Sequence, residues 1–229
     1  KLCILGEDLI SLTLDKALVN EGVYVDVISN KKKLKYNKSQ TLGISQSNIE
    51  FFGKNILNIE KLLWDINKIE IFSESFDNKK ILDFKNNNQR LFSIIKNYRL
   101  YDLLFSSLIK NKYFKFKNKF VHKNYGLVIN CDSNNSITKK FFFKKFDKEY
   151  DSYAHTTLIE HKNFNNNHIA SQIFTKKGPL AFLPISEKLT SIVYSVKGKK
   201  DIDLENLIKK YNFKYNIVRI QKGFSFKLR

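Results

Sequence analysis

The sequence predicts an α/β protein in which a parallel sheet is followed by a mainly antiparallel sheet. A strand–helix–strand pattern fills the first thirty residues and is typical of a parallel sheet. After residue 150, short apolar runs alternate with Asn-rich or Gly-Pro turns, with no long helical pattern between them. We therefore expect an interrupted α/β layer over residues 1–150. An antiparallel sheet with a short helix is expected over 151–229, incomplete at its C-terminus.

The opening unit begins with a buried-strand pattern at residues 2–5, which ends at Gly6. A helical pattern follows, because apolar residues recur with i, i+4, i+7, i+8 spacing at Ile10, Leu14, Ala17 and Leu18. Gly22 is typical of a helix end, and a second strand pattern covers residues 23–28. The two strands are predicted to pair in parallel.

Later segments carry weaker or mixed patterns. Helical spacing is present at residues 48–52, 56–64, 89–109 and 203–211. Strand patterns lie at residues 69–72, 126–130, 156–161, 168–175, 180–184 and 191–196.

The chain is strongly basic, with a formal net charge of +19. Only four of its 41 basic residues are arginine, the side chain whose planar guanidinium reads base edges and phosphates best. Abundant Lys, Asn, Ile and Phe, with two Pro and no Met, are typical of an AT-rich coding sequence. The charge is therefore either compositional or functional, and nucleic acid is not a predicted partner.

Cysteine use and hydropathy indicate a cytoplasmic protein. Cys3 and Cys131 lie in apolar runs without the Cys/His spacing of a zinc site, so neither a disulfide nor a metal is expected. No apolar run reaches the ~18 residues of a membrane span, and no secretory leader is expected. Residues 139–146 interleave Lys with Phe and are a candidate contact with the inner face of the membrane. The alternative is a strand edge with its lysines in solvent.

No catalytic residue is identified from spacing. The four histidines have no carboxylate at orienting spacing, and we expect them to be solvated: His122, His155, His161 and His168.

Several motifs occur in the same order as in one enzyme family. Residues 5–14 lie where that family carries a G-x-G-x-x-G turn followed by L-T-L, and residues 127–136 are similar to its L-V-x-x-A-D-G-x-x-S pattern. Further similarities lie at residues 40–45, 96–100, 153–159 and, most specifically, 178–185. The chain resembles the FAD-dependent hydroxylases of ubiquinone biosynthesis (polyprenylphenol hydroxylases) over nearly its whole length.

The resemblance implies a Rossmann-like FAD-binding sheet and an antiparallel substrate-domain sheet. It implies a monooxygenase that hydroxylates the ring of a polyprenylated phenol with FAD, NAD(P)H and O₂, where the cofactor supplies the oxygen chemistry. Gly6, Asp132 and Arg99 would then contact the flavin. Each of these residues also has an interpretation that needs no flavin. Gly6 is required by a tight turn, Asp132 closes an Asx turn, and Arg99 pairs with Asp102 on a helix surface.

Departures from the family pattern fall on the flavin contacts. Asp8 and Ser11 occupy two glycine positions, Glu7 adds a second carboxylate, and Ser29-Asn30 replaces the acid that would bond the ribose. Asp8 is suited to cap the following helix, but its carboxylate would repel a phosphate there.

The later flavin motifs also differ. Ser133 replaces a glycine, and the chain ends at Arg229 before a G-D-A-A-H-type motif. We therefore expect weak FAD binding or none. The alternative to an enzyme is a flavin-free pseudoenzyme that binds a lipid or assembles with other proteins of the ubiquinone pathway.

Overall fold

A computed structural model describes residues 1–29, 36–85, 90–132, 135–141, 148–198 and 201–228. The strands, in chain order, are β1 (Leu2–Leu5), β2 (Val25–Ile28), β3 (Thr41–Ile44), β4 (Trp64–Ile66), β5 (Lys68–Ser73), β6 (Lys79–Lys85), β7 (Phe92–Lys96), β8 (Phe114–Lys117), β9 (Leu127–Asn130), β10 (Ser152–His161), β11 (Ile169–Thr175), β12 (Gly178–Ser186), β13 (Leu189–Lys197), β14 (Ile217–Ile220) and β15 (Phe224–Lys227). The helices are α1 (Leu9–Asn20), α2 (Gln46–Asn55), α3 (Asn97–Leu108), α4 (Ser136–Phe141) and α5 (Leu204–Tyr211).

The chain divides into two compact units. The first comprises Lys1–Tyr36, Ser47–Lys61 and Asn97–Phe146, and the second comprises Asn37–Gln46, Leu62–Lys96 and Asp147–Arg229. An α/β fold with parallel and antiparallel sheets is therefore confirmed, while the Rossmann-like assignment stays a prediction.

The first unit contains a parallel four-stranded sheet in the order β8-β2-β1-β9. The predicted pairing of the first two strands is confirmed, with Leu2 opposite Val25. Cys3, Ile4 and Val27 are fully buried in this sheet. Burial on both faces explains the continuous apolar runs of these strands, since helices or loops cover each side of a parallel sheet.

The second unit contains a larger sheet in the order β14-β10-β13-β12-β11-β5-β6, with β15 also paired to β10. Its pairs are antiparallel except β5 with β11. On one face, α5 contributes Ile208 and Tyr211 to a core that includes Phe182 and Tyr194. The predicted helix at 203–211 is confirmed, and the Asp203 side chain caps it by accepting from the Asn206 N–H at 3.0 Å.

The second unit takes in segments that lie inside the interrupted layer expected over residues 1–150. Segments 37–46 and 62–96 belong to the second unit, because β5 pairs with β11 and β3-β7-β4 form a separate small sheet there. Ile66 and Ile94 of that small sheet share a core with Leu158 of β10. Strand pairing between distant segments makes the two units interleave along the chain.

Two helical predictions in the middle are wrong. Residues 92–96 form β7, and only 97–108 of the predicted 89–109 helix are helical. Ile94 and Ile95 are both buried, because β7 lies between β3 and β4 with both faces covered, and such a run cannot be distinguished from a buried helix by periodicity. Within 56–64 only Glu60–Leu62 form a short 3₁₀ helix, since the Asn58 side chain accepts from the Glu60 N–H and closes a turn.

The expectation of solvated histidines is wrong for two residues. His155 and His161 are 5% and 4% exposed. The His161 ring stacks on Tyr215, and its Nε2 lies 3.0 Å from the Thr190 hydroxyl. Burial lowers the pKa of His161. Long-range packing of β10 against β13, which no local spacing reveals, places both histidines inside.

Of the other two histidines, His168 stacks on Trp64 with ring centroids 4.7 Å apart, and its Nδ1 lies 2.6 Å from the Asp65 carbonyl oxygen. The side chain of His122 lies outside the described part of the structure. Residues 142–147 lie outside it too, so the membrane contact at 139–146 stays a prediction; residues 136–141 form α4. No helix in the described ranges is long and apolar enough to cross a membrane.

Gly178 begins β12 and provides a stability test. Its φ is +150°, and an added Cβ would lie 2.0 Å from the Ser195 carbonyl oxygen of β13. We expect Gly178→Ala to reduce the free energy of unfolding by about 3 kcal/mol, because the backbone is strained and the neighbouring strand must move. Urea denaturation measures the change.

Gly43→Ala is the matched control in the same unit. Its Cβ would meet only the Phe92 ring, at 3.5 Å, which is ordinary contact. We expect a change below about 1 kcal/mol there. Equal losses of unfolding free energy in Gly178→Ala and Gly43→Ala would show that position 178 has no special requirement for glycine.

Candidate functional site

The candidate site lies where β1, β2 and β9 of the first unit end. These strands are parallel and adjacent, so the residues after them meet at one edge of the sheet. Gly6 follows β1 with φ +129°, and a Cβ on it would lie 3.2 Å from the Cβ of Cys131. Gly6 is therefore required by the close approach of these two turns, whatever the site binds.

Asp8 caps the N-terminus of α1, as predicted. Its Oδ1 accepts from the Ser11 N–H at 2.9 Å and lies 3.0 Å from the Ser11 hydroxyl. The Leu9 N–H donates to the Tyr36 hydroxyl oxygen at 3.1 Å. Burial raises the pKa of Tyr36, which keeps this phenol neutral. Two of the backbone donors with which a helix N-terminus binds an anion are therefore already used.

Glu7 lies on the other side of the turn, between the ends of β1 and β2. The Ser29 hydroxyl donates to the Glu7 carboxylate. Ser29 occupies part of the position where a ribose-binding acid was expected, and its neighbour Asn30 lies outside the described residues. The carboxylate at this edge thus comes from the β1 turn and not from the end of β2.

A buried carboxyl lies farther along α1. Asp15 is 0% exposed, and neither of its oxygens has a hydrogen-bond partner within the described residues. Burial, with a smaller contribution from the charge of Asp8, raises the pKa of Asp15 to about 8. Sequence spacing missed this group because it selected the wrong face of the helix. The buried residues of α1 are Ser11, Leu12, Asp15 and Val19, whereas Ile10 of the predicted apolar face is 71% exposed.

Both cysteines are poor nucleophiles. Burial raises the pKa of Cys3 to about 11, with a contribution from Asp26. Burial also raises the pKa of Cys131, and the charges of Asp8 and Asp15 add to the effect. The thiol form is favoured at neutral pH, so neither side chain is an activated thiolate.

The loop after β9 is closed by amide side chains. Asn130 Oδ1 accepts from the Asp132 N–H at 3.2 Å, and Asn135 Nδ2 donates to the Asp132 carbonyl at 2.9 Å. Thr138 Oγ1 donates to the same carbonyl at 2.7 Å. Asn130 therefore supplies the side chain of the Asx turn. Asp132 contributes its backbone to these bonds, and the flavin role of its carboxylate stays a prediction; Ser133 lies outside the described residues.

Arg99 lies in the first turn of α3 with an exposed side chain. Its two predicted roles, a contact with the flavin phosphates or a pair with Asp102, stay predictions. Among the described residues, no group of three or more His, Cys, Asp or Glu side chains is arranged to hold a metal ion.

Comparisons with known proteins identify the fold. No protein-family model and no curated protein matches the sequence. The chain is similar to the structure of p-nitrophenol 4-monooxygenase PnpA from Pseudomonas putida DLL-E4, with a TM-score of 0.73 and 10% identity over 99% of this chain and 67% of that chain.

Two further structures give the same result. PqsL, a probable FAD-dependent monooxygenase from Pseudomonas aeruginosa, has a TM-score of 0.68 and 11% identity over 92% of this chain and 65% of that one. CtdE in complex with FAD and a substrate has a TM-score of 0.69 and 12% identity over 91% of this chain and 62% of that one. The chain thus spans about two thirds of the length of these structures, and its fold is that of the FAD-dependent monooxygenases.

The residues at the β1–α1 turn do not fit the pyrophosphate of FAD. A dinucleotide-binding turn uses glycines for close approach and free N–H groups for the phosphate oxygens. Here the Ser11 N–H already donates to the Asp8 carboxylate, and the Leu9 N–H already donates to the Tyr36 hydroxyl. The carboxylates of Glu7 and Asp8 also add negative charge. No reaction step through FAD follows from this geometry.

The buried carboxyl of Asp15 predicts a pH-dependent stability. Its folded pKa of about 8 lies above the ordinary aspartate value of 3.8, so the folded state binds a proton that the unfolded state releases. Stability should therefore fall as pH rises from about 4 to about 8. Asp15→Asn removes this titration, and we expect it to stabilise the protein at pH 8 by more than about 1 kcal/mol relative to pH 4.

Denaturant unfolding of both proteins at the two pH values measures the difference. Asp102→Asn, at an exposed position of α3 in the same unit, is the control and should not alter the pH dependence. An identical pH dependence in Asp15→Asn and the parent protein would show that Asp15 is ionised in the folded state.

Proposed function

We propose that this chain is a flavin-free, non-catalytic relative of the polyprenylphenol hydroxylases of ubiquinone biosynthesis, acting as a binding or assembly partner. The observation that carries the proposal is the Asp8 carboxylate, which caps α1 where a flavin phosphate would bind. The monooxygenase fold supports the ancestry, and the altered turn supports the loss of the cofactor.

The loss of FAD affinity caused by the Asp8 carboxylate follows from Coulomb repulsion. Two unit charges about 4 Å apart repel by about 4 kcal/mol at an effective dielectric of 20, which corresponds to roughly three decades of affinity. Asp8 is partly exposed, so solvent screening reduces this figure. Loss of the free Ser11 and Leu9 donors acts in the same direction.

The second unit supports a retained binding role. Residues 178–185, the stretch most similar to the family, form β12 between β11 and β13. Leu180 and Phe182 of this strand are buried in the core. Because the substrate sheet is intact while the flavin turn is altered, the proposed ligand is a polyprenylated phenol or another protein of the pathway. Contact with the membrane face through residues 139–146 is part of this proposal.

A second candidate function is an active FAD-dependent aromatic-ring monooxygenase reduced by NAD(P)H. It is favoured by the fold, which aligns over 99% of this chain with PnpA, and by the close turn at Gly6. In that case Gly6, Asp132 and Arg99 would lie against the flavin, and the cofactor would supply the oxygen chemistry.

A titration with FAD separates the two functions. We expect the 229-residue chain to purify without flavin absorption bands and to bind added FAD no more tightly than about 10 µM, because charge and lost donors oppose the pyrophosphate. Fluorescence quenching of FAD measures the affinity. Submicromolar binding, or flavin bands at stoichiometric occupancy, would instead establish the second candidate.

A double variant, Glu7→Gly with Asp8→Gly, tests whether these two carboxylates weaken the binding of FAD. We expect this double variant to bind FAD at least about tenfold more tightly than the parent chain, since it removes both charges and frees the Ser11 N–H. Glu21→Gln, at the opposite end of α1, is the control and should not change the affinity. Unchanged binding in the double variant would refute the charge argument.

A further inference from the structure

An open cleft of about 600 Å³ lies within the second unit. One wall is the segment before β3, with Asn37 and Lys38, and the other is the connection between β14 and β15, with Lys222 and Phe224. The volume is in the range of small-molecule sites. All of its lining residues belong to the second unit.

The floor of the cleft is held by buried hydroxyls. Thr156 of β10 is 5% exposed, and its Oγ1 lies 3.0 Å from Ser39 Oγ and 3.4 Å from the Phe224 carbonyl oxygen. The neighbouring Thr157 Oγ1 donates to the Gln221 carbonyl at 2.6 Å. Ser39 is in turn fixed by Asn37, whose Oδ1 accepts from the Ser39 N–H at 2.9 Å. Both walls are therefore tied to β10.

The wall opposite Asn37 and Lys38 is the connection between β14 and β15, two strands that both pair with β10. β14 and β15 both run antiparallel to β10, opposite residues 159–161 and 153–156 respectively. Residues 221–223 connect them, and within the described residues neither Lys222 nor Gly223 donates its N–H to a backbone acceptor. Successive backbone N–H groups in an irregular connection can form an anion-binding concavity.

The charge of the cleft is positive. Lys38, Arg219 and Lys222 line it and are exposed. The facing acid is Glu160, which lies opposite Arg219 in the β10–β14 register and accepts from Gln221 Nε2 at 2.8 Å. Three cations against one carboxylate leave an excess of about two positive charges, which matches a phosphate monoester dianion. Phe224 adds an aromatic surface that is 39% exposed.

We propose that this cleft binds a phosphate monoester carried on an aromatic ring, with the phosphate on Lys38 and Lys222 and the ring on Phe224. The cleft is larger than a phosphate ion needs, and its apolar side is aromatic, so the ligand is an organic phosphate. This proposal does not rest on the proposed function. The FAD titration tests residues of the first unit, whereas the cleft is lined by residues of the second.

Calorimetric titration of the full chain with phenyl phosphate tests the proposal, with inorganic phosphate and phenol as partial ligands. We expect phenyl phosphate to bind with a Kd below about 1 mM at low salt, and each partial ligand at least about tenfold more weakly. Lys38→Gln with Lys222→Gln should weaken phenyl phosphate about tenfold, since each partly exposed ion pair contributes about two- to fivefold. Phe224→Leu should weaken phenyl phosphate but not inorganic phosphate.

Lys176→Gln with Lys177→Gln is the matched control, because it removes the same charge from the exposed β11–β12 turn of the same unit. Unchanged binding of phenyl phosphate in this variant would support the proposed cleft as the site. Chemical-shift changes on ligand addition that are confined to Gly223 and its neighbours would support it too. Absence of binding at 1 mM (about −4 kcal/mol) would overturn it. So would equal weakening in the two double variants, or inorganic phosphate binding as tightly as phenyl phosphate.

Discussion

The parallel pairing of β1 with β2 on one side and β9 on the other determines the candidate site. It brings the turns after three strands to one edge of the sheet, where Gly6 has a φ of +129° and an added Cβ would lie only 3.2 Å from Cys131. Ser29 reaches Glu7 across the same edge. Without this pairing, the residues at 6–8, 29 and 130–132 would have no reason to meet.

The same edge shows how a fold can be kept while its chemistry changes. A capping aspartate stabilises the helix by about 1 kcal/mol, and the same carboxylate opposes a phosphate at that helix end. Asp8 therefore supports the structure and acts against the cofactor at once. The buried carboxyl of Asp15 on the same helix holds a proton in the folded state up to about pH 8 and therefore adds no negative charge below that pH.

The second unit has the opposite electrostatic character. Strand β10 pairs with β13, β14 and β15, and the hydroxyls of Thr156 and Thr157 hold the break between the last two strands open beside Lys38 and Lys222. The cleft of the second unit is lined by Lys38, Arg219 and Lys222, whereas the β1–α1 turn of the first unit carries the carboxylates of Glu7 and Asp8.

Local signals in the sequence determined the elements that depend on neighbours along the chain. Apolar spacing predicted β1, α1 and β2, and Asp8 was predicted to cap α1. The turn-separated runs after residue 150 predicted an antiparallel sheet. Only the tertiary structure decided that 92–96 is a strand, because β3 and β4 pair with its two edges while Ile94 and Ile95, on opposite faces, are both buried. It alone decided that His161 is buried and that Lys38 and Lys222 line one cleft. The reason is that β10 pairs with β14 and β15, which follow it by about sixty or more residues, and that Thr156 of β10 lies 3.0 Å from the hydroxyl of Ser39, 117 residues earlier.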